Sequence, residues 1–473
     1  MMESTITSSQ EIRRLLNNER KFLWSPSGNV AVVGRVRGDL PQEALKGALR
    51  RIPEKHPLLA SRVRQDEERA LWFVHDPEIE IPLRVVDRAS DEHWIGEVGR
   101  EVRTPWDQFR GPLIRFVLVY SPAVSEVIAF SQHAICDGTA LAFLIRDVLS
   151  LVADPEERLK RLVPDFTLTE VLGDQASGDG IGHRIKNFVV NRYNKQWRKN
   201  PVFFDHDDYL AIHGAYANKF EYGCVLLELD ESQTRALTEA CREHGVTVNT
   251  ALTAALTAAF QEFYGGGREE ARSIALPFDL RRRTSPPLGD VFCLMVGSIE
   301  VAFRYRSTRP FWGNAQELHR VIVDKIENRA VFESAVMLEL LDPTLAEVMV
   351  SFSLLAREVP ECSPRYEKMS RFAGDRRNVA NSMADRFLKS LPSIVNTNLG
   401  RLEFPERYGP LELETMYFAP AGSTYIPLIV GALGVRGRMT ATFNYLKPRG
   451  SQDNIRRNEM IRIRDLVLKY LGV

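Results

Sequence analysis

A histidine followed four residues later by an Asp-Gly pair lies in the segment SQHAICDGTALAFLIRDV, residues 131–148. The residues before His133 are apolar and predict a strand, whereas those after Gly138 repeat at helical spacing. A histidine at such a junction can act as a general base at neutral pH, because the unperturbed imidazole pKa is about 6.5. Asp137 would then help to shape the turn. The alternative is an ordinary turn that contains a hydrogen-bonded histidine.

Other chemistries for this segment have weaker support. Cys136 lies inside the motif, and a small buried side chain explains it better than a thiol nucleophile does. His133 and Asp137 lie about one helical turn apart, but no third ligand is evident, so we expect no metal. The sequence contains no GxSxG or GxxxxGK[ST] motif, and we expect no bound cofactor.

Strand and helix patterns occur in the same order in two parts of the chain. A valine-rich strand at 29–38 precedes an amphipathic helix, and YGCVLLELD followed by ESQTRALTEACREHG repeats this order after residue 220. Mixed elements of this kind predict α/β architecture with two lobes of similar design. We place the N-terminal lobe at 1–165, the inter-lobe crossover at 166–215 and the C-terminal lobe at 216–473. On the helix after Gly138, we expect Arg146 and Asp147 to point away from the core.

The motif and its surroundings resemble one superfamily over nearly the whole chain. HAICDG matches the HxxxDG motif of chloramphenicol acetyltransferase-like enzymes, a group that includes condensation domains of non-ribosomal peptide synthetases, polyketide-associated acyltransferases and plant BAHD acyltransferases. The supporting segments, in the expected order, are HPLLASRV at 56–63, GPLIRF at 111–116, LPFDLRRR at 276–283 and VNTNLGRL at 395–402. The resemblance implies two α/β sandwich lobes in a V shape, with the active site in a tunnel between them.

The same resemblance implies roles for individual residues. His133 would be the general base of a ternary complex, without an acyl-enzyme. Apart from the resemblance, a glycine at position 138 would allow close approach of substrate, and the backbone N–H groups where it opens the helix are one source of donors to the oxyanion. Asp137 would pair with an arginine of the other lobe. Arg281 stands at the corresponding place, although the adjacent arginines at 282 and 283 leave that choice open. Asn398 would be a structural residue near the site.

Two departures from the family patterns narrow the subfamily. Condensation domains usually carry a second histidine immediately before the catalytic one, and here Gln132 occupies that position. The DFGWG motif of the plant enzymes is absent, which excludes that branch. The chain is therefore most similar to stand-alone bacterial acyltransferases of the polyketide-associated type, and O-acylation is favoured over amide formation.

These observations predict an acyltransferase that moves an acyl group from a CoA or acyl-carrier-protein thioester to a hydroxyl of a natural product or lipid. Its partners would be a small-molecule acceptor and either acyl-CoA or an acyl or peptidyl carrier protein. One alternative is a stand-alone condensation enzyme that forms an amide. A second is a non-catalytic, condensation-like domain that binds carrier proteins, although the intact His133 and Gly138 count against it.

The composition fits this hypothesis and excludes several others. The 473 residues include 62 Lys plus Arg and 62 Asp plus Glu, and this balance argues against a nucleic-acid binder. Five scattered cysteines without a CxxC pair fit reduced thiols in a cytoplasmic protein. The first twenty residues show no secretory signal, and no apolar run reaches the length of a transmembrane helix. We expect a monomer.

A basic stretch at 183–200 holds six Lys or Arg and no acidic residue. Such a segment could dock an acidic carrier protein, CoA phosphates or a lipid surface. The interpretation that we favour from the sequence is an inter-lobe connector whose aromatic residues pack on the body of the protein.

Overall fold

The computed structural model describes residues 10–172, 181–265, 273–328, 330–451 and 454–473. Within these ranges it describes side chains except at 181–186, 330, 333 and 334. Residues 173–180 of the predicted crossover, and the side chains that open the basic stretch, therefore lie outside the description.

The chain contains a mixture of strands and helices, as the sequence pattern predicts. The strands are β1 Gln10–Arg14, β2 Asn29–Arg37, β3 Ser61–Gln65, β4 Leu71–His75, β5 Leu83–Asp87, β6 Ile114–Tyr120, β7 Val124–Gln132, β8 Phe220–Leu229, β9 Ile274–Asp279, β10 Val296–Val301, β11 Ile394–Leu402, β12 Arg407–Tyr408, β13 Leu411–Pro420, β14 Leu428–Val435 and β15 Arg438–Pro448. The helices are α1 Asn17–Leu23, α2 Gln42–Lys55, α3 His93–Val102, α4 Gly138–Ala153, α5 Leu168–Leu172, α6 Ile181–Trp197, α7 His206–Lys219, α8 Glu231–Glu243, α9 Val248–Tyr264, α10 Phe311–Glu327, α11 Ala330–Glu339, α12 Pro343–Glu347, α13 Ser353–Leu355, α14 Tyr366–Gly374, α15 Val379–Ser390 and α16 Ile455–Leu471. A π-helical turn, Val348–Phe352, joins α12 to α13.

Two six-stranded sheets form the centres of two lobes. The first has the strand order β12-β13-β2-β7-β6-β5, and the second has the order β10-β9-β11-β14-β15-β8. A smaller sheet contains β1, β4 and β3. Helices cover the sheets, so the prediction of a mixed α/β protein with two sheet-containing lobes is confirmed. The V shape and the tunnel stay predictions.

The first sheet contains strands from both halves of the chain. β13 pairs antiparallel with β2, with Phe418 opposite Val32, and β12 extends the sheet beyond it. The domain boundaries at 165 and 215 stay a prediction, but this pairing shows that residues 407–420 belong to the sheet of the N-terminal lobe. The exchange covers the edge of β2, which would otherwise expose a row of unpaired backbone groups.

Helix α4 is the buried helix that begins at the motif. It packs between α2 and β2, and Gly34 of β2 makes room for Ile145, since a Cβ on that glycine would lie 2.9 Å from Ile145 Cγ2. The expectation that Asp147 points away from the core is wrong. Its carboxylate is buried, and this burial is tolerated because the carboxylate accepts hydrogen bonds from Arg146 and lies 2.9 Å from His56 Nε2 and 2.7 Å from Lys55 Nζ.

Candidate active site

The turn that carries the histidine is tied to the segment around α1. Strand β7 ends at Gln132, and the backbone N–H of His133 donates to Gly28 O at 2.8 Å. The fully buried Gln132 amide donates to Phe22 O at 2.6 Å and accepts from Ala134 N at 2.6 Å. Gln132 therefore fixes both the start of the turn and its distance from α1.

The hydrogen bond at Nδ1 sets the tautomer of the His133 imidazole. Nδ1 lies 2.6 Å from Cys136 O, and a carbonyl oxygen can only accept, so Nδ1 carries the proton. In the neutral ring, Nε2 then keeps its lone pair and can accept a proton from a substrate. The Phe22 ring stacks on the imidazole, with ring centroids 4.3 Å apart and planes at 27°. The half-buried ring is thus held in one orientation.

The surroundings favour the neutral form of the base. Burial lowers the pKa of His133. This effect is larger than the opposite effects of the hydrogen bond to Cys136 O and of the Asp137 carboxylate, which both raise the pKa. The nearby Lys21 ammonium also lowers the pKa of His133. Lys21 Nζ lies 4.3 Å from the centre of the Phe22 ring, and burial lowers the pKa of Lys21 itself to about 8. A histidine with a lowered pKa is unprotonated, and able to act as a base, at neutral pH.

The buried carboxylate of Asp137 accepts three hydrogen bonds from within the protein, and both of its oxygens take part. As the N-cap of α4, its Oδ1 accepts from Ala140 N at 3.0 Å. Its Oδ2 accepts from Met295 N at 2.9 Å and from Arg281 Nη1 at 2.7 Å. The carboxylate therefore connects the start of α4 to two segments of the second half of the chain.

Arg281 is the arginine that reaches Asp137. Its guanidinium is 1% exposed, and it also donates to Asp279 Oδ1 at 3.0 Å and to the backbone carbonyl of Cys293. The two arginines that follow it are exposed. Of the three consecutive arginines at 281–283, Arg281 is therefore the one that pairs with Asp137. The short 3₁₀ turn at Arg281–Arg283 directs the side chain of its first residue inward.

The glycine of the motif is required by packing within the protein. A Cβ on Gly138 would lie 2.5 Å from Phe418 Cζ and 2.9 Å from Leu399 Cδ2. These side chains come from β13 and β11. The expectation that the missing side chain leaves room for substrate therefore needs correction, because residues of the protein occupy that space.

Asn398 lies beside this contact, but its side chain forms a local turn. It is half-buried in β11, and its Oδ1 accepts from Gly400 N at 2.7 Å. The register of β11 against β14 shifts directly after it. Its neighbour Leu399 is the residue that reaches Gly138, so Asn398 shapes the strand end, and its role as a structural residue near the site stays a prediction.

Cys136 has the properties of a structural thiol. It is fully buried, and burial strongly raises the pKa of its thiol, which disfavours the reactive thiolate. Across the described ranges, no group of three or more His, Cys, Asp or Glu residues has the arrangement of a metal site.

Sequence reasoning missed three residues that contact or influence the histidine. Gln132 was considered only as a marker of subfamily, whereas its amide anchors the turn. Phe22 and Lys21 lie more than a hundred positions before the motif, and nothing local in their sequence points to His133. Only the polar Gln132 at the end of an apolar strand was a usable signal, since a buried amide needs partners.

Comparison with known proteins gives a consistent classification. Residues 220–351 match the family model described as "Phthiocerol/phthiodiolone dimycocerosyl transferase C-terminus". A probable non-canonical nonribosomal peptide synthetase of Salinispora arenicola is 24% identical over 293 residues, which is 58% of this chain and 4% of that protein. A nonribosomal peptide synthetase of Aspergillus flavus is 29% identical over 118 residues, 24% of this chain and 2% of that protein. The chain thus spans only a few per cent of the length of these relatives.

Solved structures share the fold over almost the entire chain. Polyketide synthase associated protein 5 of Mycobacterium tuberculosis has a TM-score of 0.60 at 14% identity, with 98% of this chain and 99% of that chain covered. The trichothecene 15-O-acetyltransferase of Fusarium sporotrichioides has a TM-score of 0.61 at 12% identity, with 99% and 97% covered. The first condensation domain of the calcium-dependent antibiotic synthetase has a TM-score of 0.59 at 14% identity, with 96% of both chains covered.

The structural likenesses by themselves show the fold. Together with the family model and the peptide synthetase relatives, they confirm the resemblance stated from the sequence. Residues 220–351 thus match an acyltransferase family model, and the chain has the fold shared by condensation domains and acyltransferases of the chloramphenicol acetyltransferase-like superfamily. Over the ranges that the structure describes, no helix combines the length and apolar character needed to span a bilayer.

Proposed function

We propose that this protein transfers an acyl group from a thioester of CoA, or of a carrier-protein phosphopantetheine, to a hydroxyl of a natural product or lipid. The observation that supports this most directly is the hydrogen bond from His133 Nδ1 to Cys136 O. It leaves Nε2 as the acceptor on a ring whose pKa is lowered by burial. Such a base suits proton removal from an alcohol at neutral pH.

In the proposed reaction, Nε2 of His133 removes the proton of the acceptor hydroxyl as its oxygen bonds to the thioester carbonyl carbon. The resulting tetrahedral oxyanion collapses, the C–S bond breaks, and the thiolate leaves with the bonding pair. The imidazolium returns its proton to the thiolate, so the enzyme is regenerated. Because a thiol has a pKa of about 8.5, its departure needs little assistance, and one base suffices.

The groups around the base have supporting roles in this proposal. Asp137, held by Arg281, fixes the start of α4 and so the position of the turn. The backbone N–H of Gly138 at the start of α4 is the proposed donor to the oxyanion, because the end of a helix with free N–H groups favours negative charge. Gln132 and Phe22 orient the imidazole from the side of α1.

O-acylation is the preferred assignment, with amide formation as the second candidate. Gln132 occupies the position where condensation domains usually carry a second histidine, and one similar structure is described as a 15-O-acetyltransferase. Amide formation is supported by the two sequence relatives described as nonribosomal peptide synthetases. The two reactions use the same base and differ in the acceptor atom.

A matrix of donors and acceptors tests both candidates. Acyl-CoAs and acyl-carrier proteins are combined with alcohols and amines, and products are detected by mass spectrometry. We expect esters from the wild-type protein and a loss of about 10²- to 10⁴-fold in kcat/KM for His133→Ala. His93→Ala is the matched control, since His93 lies on α3 with 25% of its side chain exposed. Amide products alone would favour the second candidate, and equal rates for His133→Ala and wild type would exclude His133 as the base.

A further inference from the structure

Among the side chains of helix α6 that the structure describes, those on one face pack on the protein. Val190, Asn194 and Trp197 are buried and follow one another at spacings of four and three residues. The Asn194 amide donates to Leu340 O at 2.8 Å, and the Trp197 indole donates to Thr344 Oγ1 at 2.8 Å. These contacts fix which side of α6 faces outward.

The outward face combines an aromatic side chain with exposed cations. Phe188, Arg192 and Lys195 also follow at spacings of four and three, so they lie on one side of the helix, opposite the buried positions. Phe188 is 70% exposed and Val189 is 40% exposed. Arg192 and Lys195 are exposed, and neither forms an ion pair with any residue that the structure describes.

The charge of this segment contrasts with that of the whole chain. Residues 183–200 contain six Lys or Arg and no acidic residue, although the full chain has equal numbers of basic and acidic residues. A second exposed aromatic side chain, Phe387 of α15, lies near this helix, because the adjacent Arg386 contacts the Tyr193 hydroxyl. The connector interpretation explains the buried Trp197 but gives no reason for exposed aromatic residues among cations.

We propose that the outward face of α6, formed by Phe188, Val189, Arg192 and Lys195, binds an anionic lipid surface. The cations complement the negative headgroups, and Phe188 with Val189 inserts at the boundary of the acyl chains. This combination of basic and apolar residues on one helix is characteristic of interfacial binding. An acidic protein would satisfy the cations but would leave Phe188 without an apolar environment unless it offered a pocket. Such a surface would bring the enzyme to acceptors that reside in a membrane.

Vesicle co-sedimentation of the full-length chain tests this inference. We expect binding to phosphatidylcholine vesicles that contain phosphatidylglycerol, little binding to pure phosphatidylcholine, and weakening with salt. Arg192→Gln with Lys195→Gln should lower the partition coefficient roughly 30-fold, about fivefold for each cation. Phe188→Ser should lower it roughly tenfold, through lost apolar contact.

Matched variants elsewhere on the surface control for charge and hydrophobicity. Arg235→Gln with Arg242→Gln removes two exposed cations from α8, and Ile455→Ser removes an apolar side chain that is 59% exposed. Both controls should bind vesicles as the wild type does. Equal losses in the controls, or no vesicle binding by the wild type, would overturn the proposal, as would salt-sensitive binding to an acidic carrier protein without vesicle binding. The measurement needs no turnover, so His133→Ala should bind vesicles normally whether or not the proposed reaction is correct.

Discussion

Replacing Asp137 by alanine is expected to lower the stability of the protein and also the rate of the proposed reaction. The substitution removes the N-cap of α4, worth about 1 kcal/mol, and the partner of a guanidinium that is 1% exposed. Breaking a buried ion pair costs roughly 3–5 kcal/mol, because the remaining charge is left without its partner. Asp279 still accepts a hydrogen bond from Arg281 at 3.0 Å in the variant. We therefore expect the loss of the ion pair with Asp137 to cost near the lower end of this range, about 3 kcal/mol.

The decisive measurement is the double-mutant cycle with Arg281→Met. That single change leaves Asp137 with two backbone donors, Ala140 N and Met295 N, and should cost about 3 kcal/mol. In the double variant neither charge remains unpaired across this contact. Its cost should therefore fall about 2 kcal/mol below the sum of the single costs.

Urea denaturation followed by circular dichroism and by tryptophan fluorescence provides the free energies, with coincident transitions required for each variant. The control cycle uses Arg37→Met and Glu414→Ala, an exposed pair 2.8 Å apart that also joins β2 to β13. Its coupling should stay below about 1 kcal/mol. Additivity within about 0.5 kcal/mol at Asp137 and Arg281 would refute the assigned coupling.

The remaining predictions concern the turn itself. Lys21→Gln should move the acid limb of the pH profile of kcat/KM to higher pH by roughly half a unit. The Lys21 ammonium lies at most about 9 Å from the His133 imidazole, and without it protonation of the imidazole is less disfavoured. An unmoved limb would exclude this electrostatic role. Gly138→Ala should lower the melting temperature by several degrees, since a Cβ would lie 2.5 Å from Phe418 Cζ; unchanged melting would show that the site relaxes without cost. Cys136→Ala should retain most activity but have reduced stability. Complete loss of turnover in a folded variant would instead support Cys136 as a thiol nucleophile.

The sequence by itself determined the local features of the site. Apolar residues before His133 and helical periodicity after Gly138 predicted a strand, a turn and a helix, because hydrophobic periodicity reports which face of an element is buried. The structure has β7, the turn and α4 at these positions. The order of strands and helices likewise indicated two α/β lobes, and segments such as LPFDLRRR pointed to the superfamily.

Only the tertiary structure decided which distant residues meet at the turn. Asp137 and Arg281 are separated by 144 positions, and spacing could not distinguish three consecutive arginines. No local pattern indicated that β13 crosses to the first sheet, or that Phe418 fills the space at Gly138. Hydrophobic periodicity also predicted wrongly that Asp147 points away from the core. A carboxylate is classed as polar in such a pattern, even where neighbouring cations allow it to be buried. Long-range pairing depends on the summed packing of many residues, which no short motif encodes.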